Sequence, residues 1–381
     1  MRGSTGAGTE SRVFTGGIKG INGLRVGEKV NRRGENSAIL YRLSPLLSGI
    51  MFDPYRYLLM LWHKAARIVL HKTGGLTLLR WRHRADARIL MLHSFSESYC
   101  AQLDSLCEYL SRQFDPVPLS RITSAIKDCS GIPENAVTVT VDDGYKNFLE
   151  YGFPIFRKYR IPVTVYAVSG FTEGRLWLWF DQIEFGLEHT ARSSLRASLG
   201  GKTFELPLGC LKERAEAWET LTEALKDVPN QERIRFLDGF GELCAITIPP
   251  EAPAYRAPLS WDDLRAIAAE GVEIGCHTDS HPILSKISNA RELEREVRGS
   301  RELMEERLGF PVRHFCYPNG RSVDIGDTAE RAVRDAGFVS AATTIAGMNG
   351  KGSISMQLHR VPFDSNLDLR YGTELLAGLH M

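Results

Sequence analysis

The stretch Val137–Phe148, VTVTVDDGYKNF, sets two carboxylates side by side where a β-branched run stops. Val137, Val139 and Val141, interleaved with Thr138 and Thr140, predict a buried strand, because branched side chains fit a pleated, packed surface. Asp143-Gly144 supplies the turn that ends it. A turn needs only one Asp, and two adjacent carboxylates repel unless something cationic holds them. The second carboxylate therefore asks for a role beyond the turn.

The flanking sequence repeats the pattern. ARILMLHSF (Ala87–Phe95) predicts a strand ending at His93, followed by a helix through Leu103, Leu106 and Leu110. A helix near Phe153–Tyr159 and a second buried strand, PVTVYAV (Pro162–Val168), come next. Further on, VEIGC leads into HTDSHP, ARELEREVRGSRELMEERLG predicts one long charged helix ending at Gly309, and RHFCYP, FVSAATT and SMQLHRVPF predict the last strands. Alternation of this kind argues for parallel βα units, an α/β chain. Residues 175–258 break the rhythm. WLWFDQIEFGLEH, a Thr/Gly turn region and LKERAEAWETLTEALKD predict a helical insertion with its own small packing.

With 381 residues, 43% hydrophobic and 24% charged, the chain has the composition of a soluble globular protein, and one large domain or two smaller ones are allowed. A net charge of +1 gives no global pull toward nucleic acid. Residues 1–90, however, hold 16 Lys+Arg against 5 Asp+Glu, a net of +11, which leaves 31 against 41 in the rest. The seven cysteines form no C-x-x-C pair, which speaks for a reducing compartment. No secretory signal opens the chain, no apolar run reaches the ~18 residues of a membrane span, and a cytoplasmic location is expected. Residues 1–36 read as a disordered N-terminus, part of it open to being upstream sequence. Residues 37–86, centred on YRYLLMLWHKAARIVLHKTGGLTLLRW, read as a basic amphipathic helical segment. It packs on the barrel or lies on an anionic inner membrane surface, making the protein peripheral there.

HTDSHP places His277 and His281 at an i, i+4 spacing after a buried strand, and two imidazoles with a carboxylate are a normal mixed ligand set for a divalent metal. The pair alone is weak, and so is Asp-Asp-Gly. Together they gain force, because both sit at the C-terminal ends of apolar strands, where barrels gather their active sites. RHFCYPNGR adds Phe315, Tyr317, Pro318 and Gly320 at a third strand end, His93 marks a fourth, and His359 in LHRVP a fifth.

TVDDG (Thr140–Gly144), HTDSHP (His277–Pro282) and FCYPNG (Phe315–Gly320) resemble the three main motifs of the polysaccharide deacetylase family, also described as the chitooligosaccharide deacetylase homology domain or carbohydrate esterase family 4. ILMLHSF and SWDDLRAIAAEGVEIGCHT resemble its bacterial branch. The resemblance covers about Arg88 to Asp364. It implies a distorted (β/α) barrel over residues 87–370 with the helical insertion at about 175–258, one divalent metal ion, and hydrolytic removal of N-acetyl groups from an acetamido sugar in a polysaccharide, oligosaccharide or glycolipid. The partner it implies is an N-acetylated carbohydrate.

Mapped residue by residue, the resemblance makes Asp143, His277 and His281 the metal ligands and Asp142 the catalytic base. Zn²⁺ is the first expectation, with Co²⁺, Ni²⁺ or Mn²⁺ compatible with the same donors. Asp142 takes a proton from metal-activated water, and the backbone N–H of Tyr317 helps hold the oxyanion. The general acid is His93 or, failing that, His359. The third motif lacks the family's arginine, and neither Arg313 nor Arg321 matches it cleanly, so the group that orients Asp142 stays open. Trp177, Trp179, Trp261 and Pro318 are the candidate sugar contacts, with core packing the competing reading for the tryptophans. Hydrolysis of another C–N or ester bond (an O-acetyl sugar, a small amide or an imide) and a catalytically dead carbohydrate-binding relative are the competing functions. Cys276 and Cys316 read as small core groups, and His314 as structural.

Overall fold

The computed structural model describes residues 29–30, 36–37, 67, 70–363 and 368–379. Most of the predicted N-terminal segments 1–36 and 37–86 thus lies outside the described residues. The chain divides into two units, Met1–Leu76 with Asn366–Asp368, and Thr77–Ser365 with Leu369–Met381. In the first, β1 (Lys29–Val30) and β2 (Asn36–Ser37) form a short antiparallel pair. No described helix is long and apolar enough to cross a membrane.

The second unit is built on parallel strands: β3 (Arg88–Leu92), β5 (Ala136–Val141), β6 (Val163–Ala167), β9 (Glu273–Cys276), β10 (His314–Cys316), β11 (Ser340–Ala346) and β12 (Leu358–Pro362), with the short β4 (Asp115–Pro116) along the start of β5. Their spatial order is β3-β12-β11-β10-β9-β6-β5, and β5 pairs back onto β3 from Arg88↔Val137 to Leu92↔Val141. The sheet therefore closes into a (β/α) barrel, as the family resemblance implies, built from the parallel βα units that the alternation predicts. Because every pair in the ring is parallel, all C-terminal ends share one rim. Every residue of β5 is buried. Strand parity separates Val137, Val139 and Val141 from Thr138, Thr140 and Asp142, which share the other face. Thr140 Oγ1 donates to the Leu90 carbonyl (2.7 Å) and accepts from Arg360 Nη1 (3.0 Å), so this second face looks into the barrel.

Two sequence expectations are corrected in detail. The long charged helix is two helices, Ala290–Glu294 and Ser300–Leu308, joined by a π-helical turn, Arg295–Gly299, that re-aims Glu296 inward. The insertion is not wholly helical. Between the helix Trp179–His189 and the helices Leu211–Asp227 and Asn230–Cys244 runs an antiparallel hairpin, β7 (Ser194–Leu199) with β8 (Lys202–Pro207). Gly200 and Gly201, at φ 60° and 70°, provide its left-handed turn, and Leu195, Ala197 and Leu199 alternate inward in period 2. Leu195 and Leu199 join Ile183, Leu187, Leu221, Leu225 and Phe240 in a core of the insertion's own. Each such large side chain contributes about 1.5–3 kcal/mol by leaving water.

Candidate active site

At the rim, β5 hands its two carboxylates to different partners. Asp142 continues the inward face of the strand and Asp143 turns away at φ 72°. The guanidinium of Arg360, wholly buried on β12, reaches across the barrel and donates from Nη1 to Asp142 Oδ1 (2.7 Å) and from Nη2 to Asp142 Oδ2 (2.8 Å). Burial alone pushes the Asp142 carboxyl up, but the charge and hydrogen bonds of Arg360 outweigh it and hold Asp142 well below the usual carboxylate range. Two-point contact also fixes the carboxylate plane. The Cys316 thiol lies 3.5 Å from Asp142 Oδ2 and 3.2 Å from Arg360 Nη2, where a larger side chain would obstruct the pair.

Asp143 has no such partner. Its Oδ1 faces His277 Nε2 at 3.6 Å and His281 Nε2 at 3.5 Å, and all three side chains are buried. Burial raises its carboxyl far above the usual range, and the neighbouring Asp142 and Asp181 add to the rise. The imidazoles move the other way. Burial lowers His277 to about 4 and His281 well below its ordinary value. His277 Nδ1 donates to the Cys316 carbonyl (2.7 Å), which fixes the tautomer and leaves the Nε2 lone pair pointing at Asp143. A lone pair facing a carboxyl oxygen calls for a proton or a metal ion between the two atoms.

The spacing suits such a cation. Two ligands bound tetrahedrally to Zn²⁺ at about 2.0–2.1 Å lie about 3.3 Å apart, close to the separations seen. Asp143, His277 and His281 therefore fit a divalent ion, and they form a potential ligand group of matching reach.

The loop bearing the histidines is strained and anchored. Thr278 and His281 both take left-handed conformations, φ 69° and 56°, of order 1–3 kcal/mol each for non-glycine residues. Glu296 compensates from the π turn, accepting from the backbone N–H groups of Asp279 (3.1 Å) and Ser280 (2.8 Å) and from Ser280 Oγ (2.7 Å).

The other predicted residues divide. His93 sits half-exposed at the rim with Nε2 3.8 Å from Asp142 Oδ2, inside the site. His359 does not join it. Neighbours on a strand face opposite ways, so Arg360 points in while His359 packs against Gly347 on the other side. The backbone N–H of Tyr317 is engaged by the Ala342 carbonyl (3.0 Å), because the β10–β11 ladder runs on through it, and its hydroxyl donates to the Met356 carbonyl (3.1 Å). In the turn that follows, Asn319 lies at φ 61° and its N–H meets no acceptor among the described residues. Pro318 is buried, and so are Trp177, packed with Phe171 and Tyr145, and Trp179, in the insertion core. The core reading holds for both tryptophans. Trp261 Nε1 donates to Glu173 Oε2 (2.6 Å), beside an open groove that Arg265 and Arg307 also line. Arg321 is paired with Asp324 and Glu223, and Arg313 is exposed, so neither orients Asp142.

Arg360, which is not among the sequence candidates Arg313 and Arg321, fills that role. The available signal was parity. In LHRVP only one of His359 and Arg360 can face the barrel, and a guanidinium there matches a carboxylate in two-point geometry.

A closed parallel barrel with a carboxylate pair and two histidines on its C-terminal rim defines a hydrolase-type centre. The model of the polysaccharide deacetylase family matches residues 131–341, more than half of the chain. The chain belongs to that family, whose members remove acetyl groups from carbohydrates. Among solved structures it is similar to the Streptococcus pyogenes deacetylase PplD in complex with acetate, at 15% identity over 78% of this chain and 98% of that one, with a TM-score of 0.49. IcaB from Ammonifex degensii is similar at 16% identity over 77% and 96%, TM-score 0.48, and the BpsB deacetylase domain from Bordetella bronchiseptica at 17% over 74% and 96%, TM-score 0.45. No match is found among curated proteins.

Proposed function

We propose that this protein is a metal-dependent N-deacetylase of acetamido sugars carried on a polysaccharide, oligosaccharide or glycolipid, with Asp143, His277 and His281 holding the metal and Asp142 acting as base. The observation that carries the reading is the geometry of three buried donors, with Asp143 Oδ1 3.6 Å from His277 Nε2 and 3.5 Å from His281 Nε2, the reach of one metal ion.

Lewis acidity toward the acetyl carbonyl, and a more acidic water, are what a divalent cation supplies when bound there. The remaining work falls to side chains. Arg360 keeps Asp142 ionised and in a fixed plane, so that Asp142 can accept the proton of the attacking water. His93, at the rim beside Asp142, is the group placed to return a proton to the departing amine. The N–H of Asn319, which meets no acceptor among the described residues, is the backbone donor we assign to the developing oxyanion, in place of that of Tyr317.

Elemental mass spectrometry on wild type and on a His277→Ala, His281→Ala variant tests the ligand assignment. About one divalent ion per chain, lost in the variant, supports the reading. A well-folded wild type that takes up no metal from Zn²⁺-containing buffer, yet binds sugar, moves the protein to the class of inactive carbohydrate-binding relatives.

A further inference from the structure

The insertion has its own core, yet two of its side chains converge on one atom of the metal-binding loop. Trp179 Nε1, from the helix Trp179–His189, donates to the His281 carbonyl at 3.1 Å, and Arg233 Nη1, from the helix Asn230–Cys244, donates to the same oxygen at 3.2 Å. Trp179 and Arg233 are both buried, and the guanidinium lies over the indole with its carbon 5.2 Å from the ring centroid. Arg233 is positioned in turn. Its Nη2 donates to Asn230 Oδ1 (2.5 Å), and Asn230 and Gln231 donate to the two carboxylate oxygens of Glu292, on the helix Ala290–Glu294 that follows the histidine loop. The Phe180 ring completes the contact, edge-on to the His281 ring with centroids 5.4 Å apart.

The oxygen these donors grip belongs to a residue in a left-handed conformation. A histidine there returns to an ordinary backbone geometry unless its surroundings prevent it, and that return carries the imidazole away from Asp143. A second donor on one carbonyl is also more than packing needs, since one satisfies a buried acceptor.

We propose that the insertion is part of the metal centre, with Trp179 and Arg233 as positioning residues that lock His281 in its ligand geometry through its main-chain oxygen. The proposal rests on the metal reading of Asp143, His277 and His281. It assigns to the insertion a role in metal retention, separate from any part it has in recognising sugar.

The test is Zn²⁺ affinity of the full chain, measured by competition with a chromophoric chelator, alongside the thermal midpoint of the metal-free protein and the visible absorption of the Co²⁺-loaded form. Trp179→Phe removes one N–H and keeps the ring under Arg233, and Arg233→Met removes the other donor at similar length. Each is expected to weaken Zn²⁺ binding about 10-fold and the pair about 100-fold, the range seen when groups behind a metal ligand are lost, with an altered Co²⁺ band. Arg233→Lys, which keeps a donor and the charge, is expected to recover part of the affinity. Phe240→Leu serves as the control, because Phe240 lies in the insertion core and makes none of these contacts; it is expected to lower the thermal midpoint and leave Zn²⁺ affinity within about twofold. Wild-type affinity in folded Trp179→Phe and Arg233→Met proteins overturns the proposal, as does an equal loss in Phe240→Leu, which reduces the effect to general stability. A wild type that binds no Zn²⁺ overturns the metal reading itself, and this proposal with it.

Discussion

The barrel rim and the insertion both reach the candidate metal site, and they do so by different means. The rim supplies groups from its own strand ends, Asp142 and Asp143 after β5, His277 after β9 and Arg360 within β12, aligned because all the strands run one way. The insertion supplies none of the proposed ligands. It acts from behind, through Trp179 and Arg233 on the His281 carbonyl and through Asp181, whose charge is felt at Asp143 and which accepts from the Tyr145 hydroxyl at 2.6 Å. The comparison assigns reaction chemistry to the barrel and retention of geometry to the insertion. Mutations in the two regions should therefore fail differently.

The largest effects belong to the rim. Asp143→Ala is expected to abolish acetate release together with metal binding, and Asp142→Asn to lower kcat by about 10²–10⁴-fold with metal content unchanged, the range for loss of a general base. Retained activity in either variant breaks the division of roles between the two carboxylates.

Arg360→Met should be nearly as damaging for a different reason. It strands a buried carboxylate, which costs about 3–5 kcal/mol of stability in denaturant unfolding. In the wild type Arg360 depresses the Asp142 carboxyl, so this pair stabilises the fold above the unfolded value of about 3.9 and the contribution is lost as pH falls further. Without Arg360, burial alone raises Asp142, and the acid limb of the kcat/KM profile is expected to move to higher pH. An unmoved limb contradicts the pairing.

Effects in the insertion should be smaller in catalysis and larger in folding. Trp177→Ala opens a cavity among Tyr145, Phe171 and Phe185, and about 3–5 kcal/mol of stability should go with it. At temperatures where the variant stays folded, KM for oligosaccharide should change little. A large KM increase without destabilisation restores Trp177 as a sugar-stacking platform. His359→Ala is the smallest case, expected to change kcat less than about twofold, since strand parity turns the ring away from the barrel. A loss comparable to that of His93→Ala returns His359 to the reaction.

How much of this was legible in the sequence follows from the same contrast. The strands around VTVTV, PVTVYAV and VEIGC, and the motif residues that end them, could be read because each is a contiguous pattern in which local chemistry and long-range position agree. Arg360 was missed because its partner lies 218 residues away, and only the closed ring brings β12 opposite Asp142. Tyr317 was over-read, since a motif match does not say whether its N–H serves the ladder or the site. The hairpin in the insertion was hidden because Ser, Arg and Ala dilute the alternation of SLRASL, and its buried face becomes apparent only once helices cover it. For Trp179 the sugar-contact and core readings both stay open in the sequence, because composition cannot tell a buried indole N–H donating to a carbonyl from an exposed ring.

The most direct test of the central claim is acetate release from N-acetylhexosamine oligomers by chelator-treated protein, before and after one equivalent of Zn²⁺ or Co²⁺ is restored. The account predicts that the metal-free protein stays folded and releases no acetate, that activity returns with the ion, and that Asp143→Ala does not recover. Undiminished acetate release by metal-free protein, or none by wild type in any metal-loaded form, would contradict it.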